Sequence, residues 1–194
     1  MPKVVDAAAR RVELAEAVWR VVRRGGLAHA SVRNVALEAG LSTGSLRHSF
    51  GSQSELTLFA MRLVAERIQA RVEAVGVTGD PQEVAGRMIE EMLPLDEDRL
   101  AECQVWLSFS AQSVVDPQLG ALREEMHGLL WHAFRSMVAR VAGPGADQGL
   151  EARRLYALVD GLILHTVLHG EDPAGARSVI RAHLRQLADP TRRP

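Results

Sequence analysis

Between Ser42 and His48 the chain reads Ser-Thr-Gly-Ser-Leu-Arg-His. Three hydroxyls, one glycine and two basic side chains fall in seven residues. If a short helix starts there, its first amides and the hydroxyls of Ser42 and Thr43 donate to phosphate oxygens. The Arg47 guanidinium reaches a guanine edge or a phosphate. Thr43, Gly44 and Ser45 are small enough to let a polyanion approach the backbone closely. His48 suits the same surface, or is simply a solvated histidine. Ser42 is also an ordinary helix cap, worth about 1 kcal/mol. Capping and phosphate contact are compatible, because both use a helix N-terminus. Arg47 has Glu38 as a candidate ion-pair partner in the free protein.

Such a helix needs elements to hold it. Upstream, Leu14, Val18, Val21 and Val22 give an apolar stripe at helical spacing over about Ala8 to Arg24, stopped by Gly25-Gly26. Ser31 caps a second helix that ends at Gly40, where a turn residue with positive φ is required. Small Ala36 allows two helices to cross closely. Leu41 turns inward, and Val32, Val35, Leu46 and Phe50 form the core beneath. Ser52 and Glu55 form a capping box that opens a long helix to about Val75. Three short helices, tight turns and a basic bias describe a helix-turn-helix. Residues 1–60 carry eight basic and five acidic groups, against a net charge of −1 for all 194 residues. A basic end on an acidic body fits a polyanionic partner.

The run SVRNVALEAGLSTGSLRHSFGSQSEL resembles the DNA-binding head of the TetR family of one-component regulators. The family pattern is Thr/Ser-Val-Arg, Ala-Gly-Val/Leu-Ser, Gly-Ser-Leu and Phe-x-Ser in that order, and the match has no gap. The resemblance implies contacts to double-stranded DNA from Ser31, Arg33, Ser42, Thr43, Gly44, Ser45, Arg47, His48 and Gln53. Two positions depart from the family. Arg47 stands where Tyr is usual, and Gln53 where Lys often meets a phosphate, which weakens the phosphate role at 53. Leu-Arg-His and Ser-Gln are similar to the branch containing betaine-type repressors.

Beyond Val75 the reading stays helical, over roughly 81–93, 97–114, 117–142, 148–170 and 174–188. Pro81, Pro94, Asp116-Pro117, GPGADQG and Asp172-Pro173 separate the stretches. LVDGLILHTVLHG, Leu158 to Gly170, resembles the penultimate helix of the betaine-repressor-like branch. In that family this part binds a small effector and makes the dimer. The apolar faces agree with such a use: Leu155, Leu158, Leu162, Ile163 and Val167 on one helix, Ile180, Leu184 and Leu187 on the next. Two such helices from each of two subunits make a four-helix bundle. A dimer also suits a palindrome, with recognition helices about 34–36 Å apart. The alternative to the bundle is that both helices merely cover their own core.

For the effector, Met88, Met92, Trp106, Phe109, Met126, Leu130, Trp131 and Phe134 recur at helical spacing, with Ser113 and His165 as polar groups near them. Each is also an ordinary core candidate. Few charges interrupt these faces, so the expected ligand is a largely neutral or apolar molecule; Asp160 would suit a cation, but a hydrogen bond at a helix interface is the blander reading and the one preferred here.

Other chemistries have little to stand on. His165 and His169 are four apart, but no third ligand has metal-site spacing. Cys103 is the one cysteine, so no internal disulfide or cysteine-based zinc cage forms. No phosphate loop, nucleophile elbow or paired-carboxylate motif is present, so an enzyme is not expected and no cofactor is implied. No long apolar run or signal-peptide pattern is seen, and the expected location is the cytoplasm. The expectation is an all-α protein. A three-helix helix-turn-helix head over 1–52 precedes a helical effector-binding and dimerisation domain over 53–190. Its function is that of a homodimeric repressor released by a small molecule. The alternative is a ligand-binding or protein-sequestering helical dimer whose head has lost DNA.

Overall fold

The computed structural model describes residues 7–143 and 147–189. Among these residues there are nine α-helices, one short 3-10 turn and no strand. They are α1 (Ala7–Gly25), the 3-10 turn (Leu27–His29), α2 (Val32–Glu38), α3 (Thr43–Arg47), α4 (Gln53–Val75), α5 (Pro81–Glu90), α6 (Glu97–Ser113), α7 (Pro117–Ala142), α8 (Gln148–His169) and α9 (Pro173–Ala188). The all-α class agrees with the expectation. The stretch expected over 81–93 is shorter in the structure. Glu91–Leu93 leave the helix in turns, because Pro94 disfavours helical backbone in the residue before it. Pro144–Ala146 of the expected loop and 190–194 of the expected tail lie outside the described residues. No helix among those described is long and apolar enough to cross a membrane.

The chain packs as two compact units. One runs to Glu66 and takes in Gln104–Ala121; the other comprises Arg67–Cys103 and the described residues from Leu122 onward. The expected division at 52/53 concerns where DNA binding ends, which is a question of function. Packing continues past it, for Phe50 lies against Phe59 of α4 at 5.1 Å between ring centroids.

In the first unit the expected α1 stripe is buried: Leu14, Val18, Val21 and Val22, joined by Ala17 and Trp19. Arg23 and Arg24 sit in its last turn, where the helix dipole favours cations. Ser54 Oγ donates to Asp116 Oδ2 at 2.5 Å, tying the first turn of α4 to the turn between α6 and α7. That bond, with the backbone N–H of Gln118, holds the Asp116 carboxyl below the usual carboxylate range.

The second unit has a charged interior. Glu102 on α6 is only 2% exposed. Its carboxylate accepts from Arg67 Nε at 3.2 Å and from both terminal nitrogens of Arg71. Arg71 reaches on to Glu91, and Arg99 closes the chain of pairs on Glu91 and Asp96. A buried carboxylate is tolerated here because its lone pairs are occupied by guanidinium donors. Cys103 beside it donates its S–H to the Met92 carbonyl, and burial pushes the thiol up to about 12, so it stays protonated and unreactive at neutral pH.

Removing one partner of this network strands the others. Glu102→Leu is expected to lower stability by about 3 kcal/mol in urea denaturation, near the low end for a broken buried pair because the arginines keep some contact with water. The double change Glu102→Leu/Arg71→Leu is expected to cost less than the sum of the two single changes.

Candidate functional site

The helix-turn-helix is built by local chemistry. α2 starts on Ser31, whose Oγ accepts from the Asn34 N–H at 3.2 Å. It ends in a complete Schellman motif: Gly40 N–H donates to the Leu37 carbonyl, and Leu41 N–H to that of Ala36. Gly40 has φ of 66°, the left-handed conformation that makes glycine the natural occupant. α3 starts on Ser42, whose Oγ accepts from the Ser45 N–H at 3.0 Å. Val35, Ala36, Leu46 and Phe50 are buried, while Val32 and Leu41 are half-buried. At Ser52 the hydroxyl caps Glu55 as expected. The Glu55 carboxylate, however, returns to Gly51 N–H at 2.6 Å rather than to Ser52, one residue earlier than a standard box.

Ser42, Thr43, Gly44, Arg47 and His48 are exposed around α3, as is Arg33 on α2. A methyl group placed on Gly44 would meet nothing nearer than Ser42 Oγ at 3.8 Å, so this surface is open. Ser45 is half-buried and accepts from Arg10 of α1 at 2.8 Å, a link from α1 to α3 that sequence spacing did not disclose. Gln53 is exposed, yet its amide donates to the Ala30 carbonyl at 2.9 Å and so braces the start of α4. Ser31 is half-buried and engaged as a cap.

The ion pair expected between Arg47 and Glu38 does not form. Glu38 is taken by Arg20 Nε at 2.6 Å and by Arg24, which together hold its carboxyl below the usual range. Arg20 and Arg24 stand one turn apart on α1 and reach α2 side by side. Arg47 and Arg33 are left with no side-chain partner among the described residues.

The second unit carries an open hollow of about 500 Å³ between α7 and α8, walled by His127, Trp131, Arg153, Tyr156, Ala157 and Asp160. Tyr156 stacks on His127 on one side and on Phe134 on the other, with ring centroids 5.7 and 4.8 Å apart. The Arg153 guanidinium lies 5.8 Å from the Trp131 ring. Asp160 keeps much exposed surface, but its carboxyl lies among these rings, and burial pushes it up to about 6. No hydrogen bond from a described residue holds that carboxylate.

Of the residues expected to line an effector pocket, Trp131 reaches this hollow and Phe134 backs it. Met88, Met92, Met126 and Leu130 are half-buried elsewhere in the second unit, and His165 is exposed and paired with Glu171 at 3.3 Å. Trp106, Phe109 and Ser113 belong to the first unit, where Phe109 and Ser113 are buried. His127, Arg153 and Tyr156 are not among the residues expected to line a pocket. The sequence signal for His127 and Tyr156 is two i, i+4 pairs, His127–Trp131 and Tyr156–Asp160, on consecutive helices; Arg153 has none.

The residues of the expected dimer face divide by burial within the protomer. Leu155, Ile163, Ile180, Leu184 and Leu187 are buried within the protomer, already covered by its own core. Leu158, Leu162 and Val167 are half-buried. A side chain with no free surface offers nothing to a second subunit.

Comparison with known proteins agrees with the head and the body alike. Residues 81–189 match the family described as BetI-type transcriptional repressor, C-terminal. The HTH-type transcriptional regulator PksA of Bacillus subtilis is 40% identical over 174 residues, covering 87% of this chain and 83% of that protein. The crystal structure of a transcriptional regulator from Rhodococcus sp. Rha1 superposes with a TM-score of 0.81 at 28% identity, covering 91% of this chain and 95% of that one. A regulator from Saccharomonospora viridis in complex with choline has a TM-score of 0.81 at 23% identity, covering 92% and 96%. With a helix-turn-helix head and a matching C-terminal body, this chain belongs to the TetR family, in its BetI-type branch, and is a transcriptional regulator of the repressor type.

Proposed function

We propose that the chain works as a homodimer that holds a palindromic operator with two copies of α3 and lets go when a small organic cation enters the α7–α8 hollow. The observation that carries the DNA part is the surface of α2 and α3. Arg33, Arg47 and His48 project from it exposed, with no side-chain partner among the described residues, beside a glycine with open space in front. On this reading Arg47 reads a base or a phosphate, and Thr43, Gly44, Ser42 and Ser45 admit the backbone. Ser31 and Gln53 act chiefly by holding the helices in place. A transcriptional regulator works beside the chromosome, which makes the cytoplasm its proposed location.

For the partner subunit, the free apolar surface is the outward flank of α8 and α9. Ala157, Gly161, Leu164 and Leu168 succeed one another at intervals of four, three and four residues. Leu164, Leu168 and, on α9, Val179 are 41%, 63% and 43% exposed. Small residues beside large exposed ones suit close approach of a second copy.

The effector class is argued from the hollow. Trp131 and Tyr156 offer ring faces to a cation, an attraction of about 0.5–2 kcal/mol. Asp160 supplies a carboxylate with no hydrogen-bonded partner among the described residues, and Arg153 occupies the Trp131 face until a ligand displaces it. These groups favour a cation over the neutral molecule expected from composition. The Saccharomonospora viridis neighbour holds choline, but its likeness is one of fold. In this chain it is Asp160 and the rings that suit a cation.

Arg47→Ala is expected to weaken operator binding by about 1–3 kcal/mol in titrations against upstream DNA. Wild-type affinity should fall steeply with salt. Absence of specific, salt-sensitive binding from a randomised DNA pool would favour instead a helical dimer that has lost DNA. Leu164→Glu/Leu168→Glu is expected to give monomers by light scattering and to abolish tight operator binding; a dimer that survives would remove this flank. Choline affinity is expected to rise about tenfold from pH 5 to pH 7 as Asp160 ionises, and to become flat with pH in Asp160→Asn. Stability moves the other way: the folded state takes up the Asp160 proton more readily than the unfolded chain. Its contribution is therefore full below about pH 4 and declines as the pH rises to about 6.

A further inference from the structure

On the second unit, α5 and α9 pack along each other and leave a groove of about 430 Å³. Its floor is apolar. Gly86 is buried, and a methyl group added there would lie 3.6 Å from Leu184 of α9. Its walls are charged. At one end Glu90 takes two bonds from Arg181, at 3.1 and 2.9 Å, and an ion pair from Arg177 at 3.4 Å, so its charge is matched within the protein. Glu83 lies in the first turn of α5, where the helix dipole accommodates an anion. Two cations remain. Arg87 and Arg185 line the groove from opposite helices, both are exposed, and neither side chain has a partner among the described residues.

We propose that this groove binds a small organic molecule bearing a compact oxyanion, of which a phosphomonoester is the example tested. Arg87 and Arg185 face the oxyanion from two sides, and guanidinium forks suit its oxygens in paired, charge-assisted hydrogen bonds. With Glu90 already paired, three arginines and two glutamates line the groove, and the excess of positive charge, carried by Arg87 and Arg185, favours an anion. Buried Gly86 and Leu184 set the floor, the aliphatic stems of Arg87 and Arg185 flank the organic body of the ligand, and the volume is that of a small-molecule site. The groove is separate from the outward flank of α9. Ser178, Arg181 and Arg185 recur on one side of the helix, whereas Gly175, Val179, Ala182 and Gln186 recur on another. A second subunit seated on Val179 therefore leaves the groove open.

The test is isothermal titration of the full-length protein with phenyl phosphate at low salt. A Kd of about 1 mM or tighter is expected, with weaker binding of inorganic phosphate, which lacks the apolar body. Arg87→Gln/Arg185→Gln is expected to weaken phenyl phosphate binding at least about tenfold, while Arg87→Lys/Arg185→Lys keeps most of it. Both variants should retain the wild-type circular dichroism and bind operator unchanged in the absence of phosphate, which distinguishes the groove from the DNA-binding head. Failure of the wild-type protein to bind phenyl phosphate, binding that survives unchanged in the glutamine variant, or equal binding of phenol would each overturn the proposal.

Discussion

A helix of five residues cannot stand alone in water. Nucleation fixes several residues for a single hydrogen bond, and Thr43–Arg47 is too short to recover that cost by propagation. The surface proposed to meet DNA therefore depends on how α3 is seated. The Ser42 hydroxyl supplies one N-terminal bond, and the Schellman turn at Gly40 sets the angle at which the chain arrives. The larger contribution is apolar: Leu46 is fully buried, with Ala36 and Phe50 buried in the same unit. The pairs of Glu38 with Arg20 and Arg24 lie at the surface, where ion pairs contribute little. Their value is positional. They occupy the one acid on α2 that Arg47 could have used, and so leave Arg47 free for a polyanion.

The second unit solves a different problem with the same residue types. Glu102 is buried among guanidinium groups and works as a fixed node between α4 and α6. Asp160 lies among aromatic rings with no donor from a described residue bound to it, and burial drives its carboxyl up to about 6. Glu102 is cut off from bulk water while Asp160 is only partly so, and they differ as well in the supply of cations. Arg67 and Arg71 are built in for Glu102. At Asp160 the nearby guanidinium, Arg153, is turned to the Trp131 face. A carboxylate in that situation gains most from a cation brought by another molecule.

The head was readable from sequence because its determinants are local. Ser31 and Ser42 cap α2 and α3 from the residue just before each helix, Gly40 takes the positive φ its position demands, and Val35, Leu46 and Phe50 fall on the inner face by spacing alone. Where the reading failed, the missing information was tertiary. Glu38 pairs with Arg20 and Arg24 because α1 crosses α2, which no spacing within α2 and α3 discloses. The stripe of Leu155, Ile163, Ile180 and Leu184 showed that a face is buried, but periodicity does not say against what. The protomer's own core claims it. Met88, Trp106, Met126 and Trp131 share one pattern, yet only Trp131 reaches the hollow. His127–Trp131 and Tyr156–Asp160 become one site only when α7 lies beside α8.

These placements bear on how a ligand could govern DNA. An effector shifts an equilibrium only by its difference in affinity for two arrangements of the protein. Useful coupling is about 1–3 kcal/mol, a change of roughly 5–150-fold in DNA affinity. One cation–ring contact and one partly desolvated charge pair are of this size. On the proposed reading, the hollow at Trp131, Tyr156 and Asp160 thus need not be created or destroyed for release. It is enough that one ring or the Asp160 carboxylate meets the cation well in one arrangement and poorly in the other. Arg153 sharpens that difference, because an arrangement that keeps its guanidinium on Trp131 closes the ring face to any other cation.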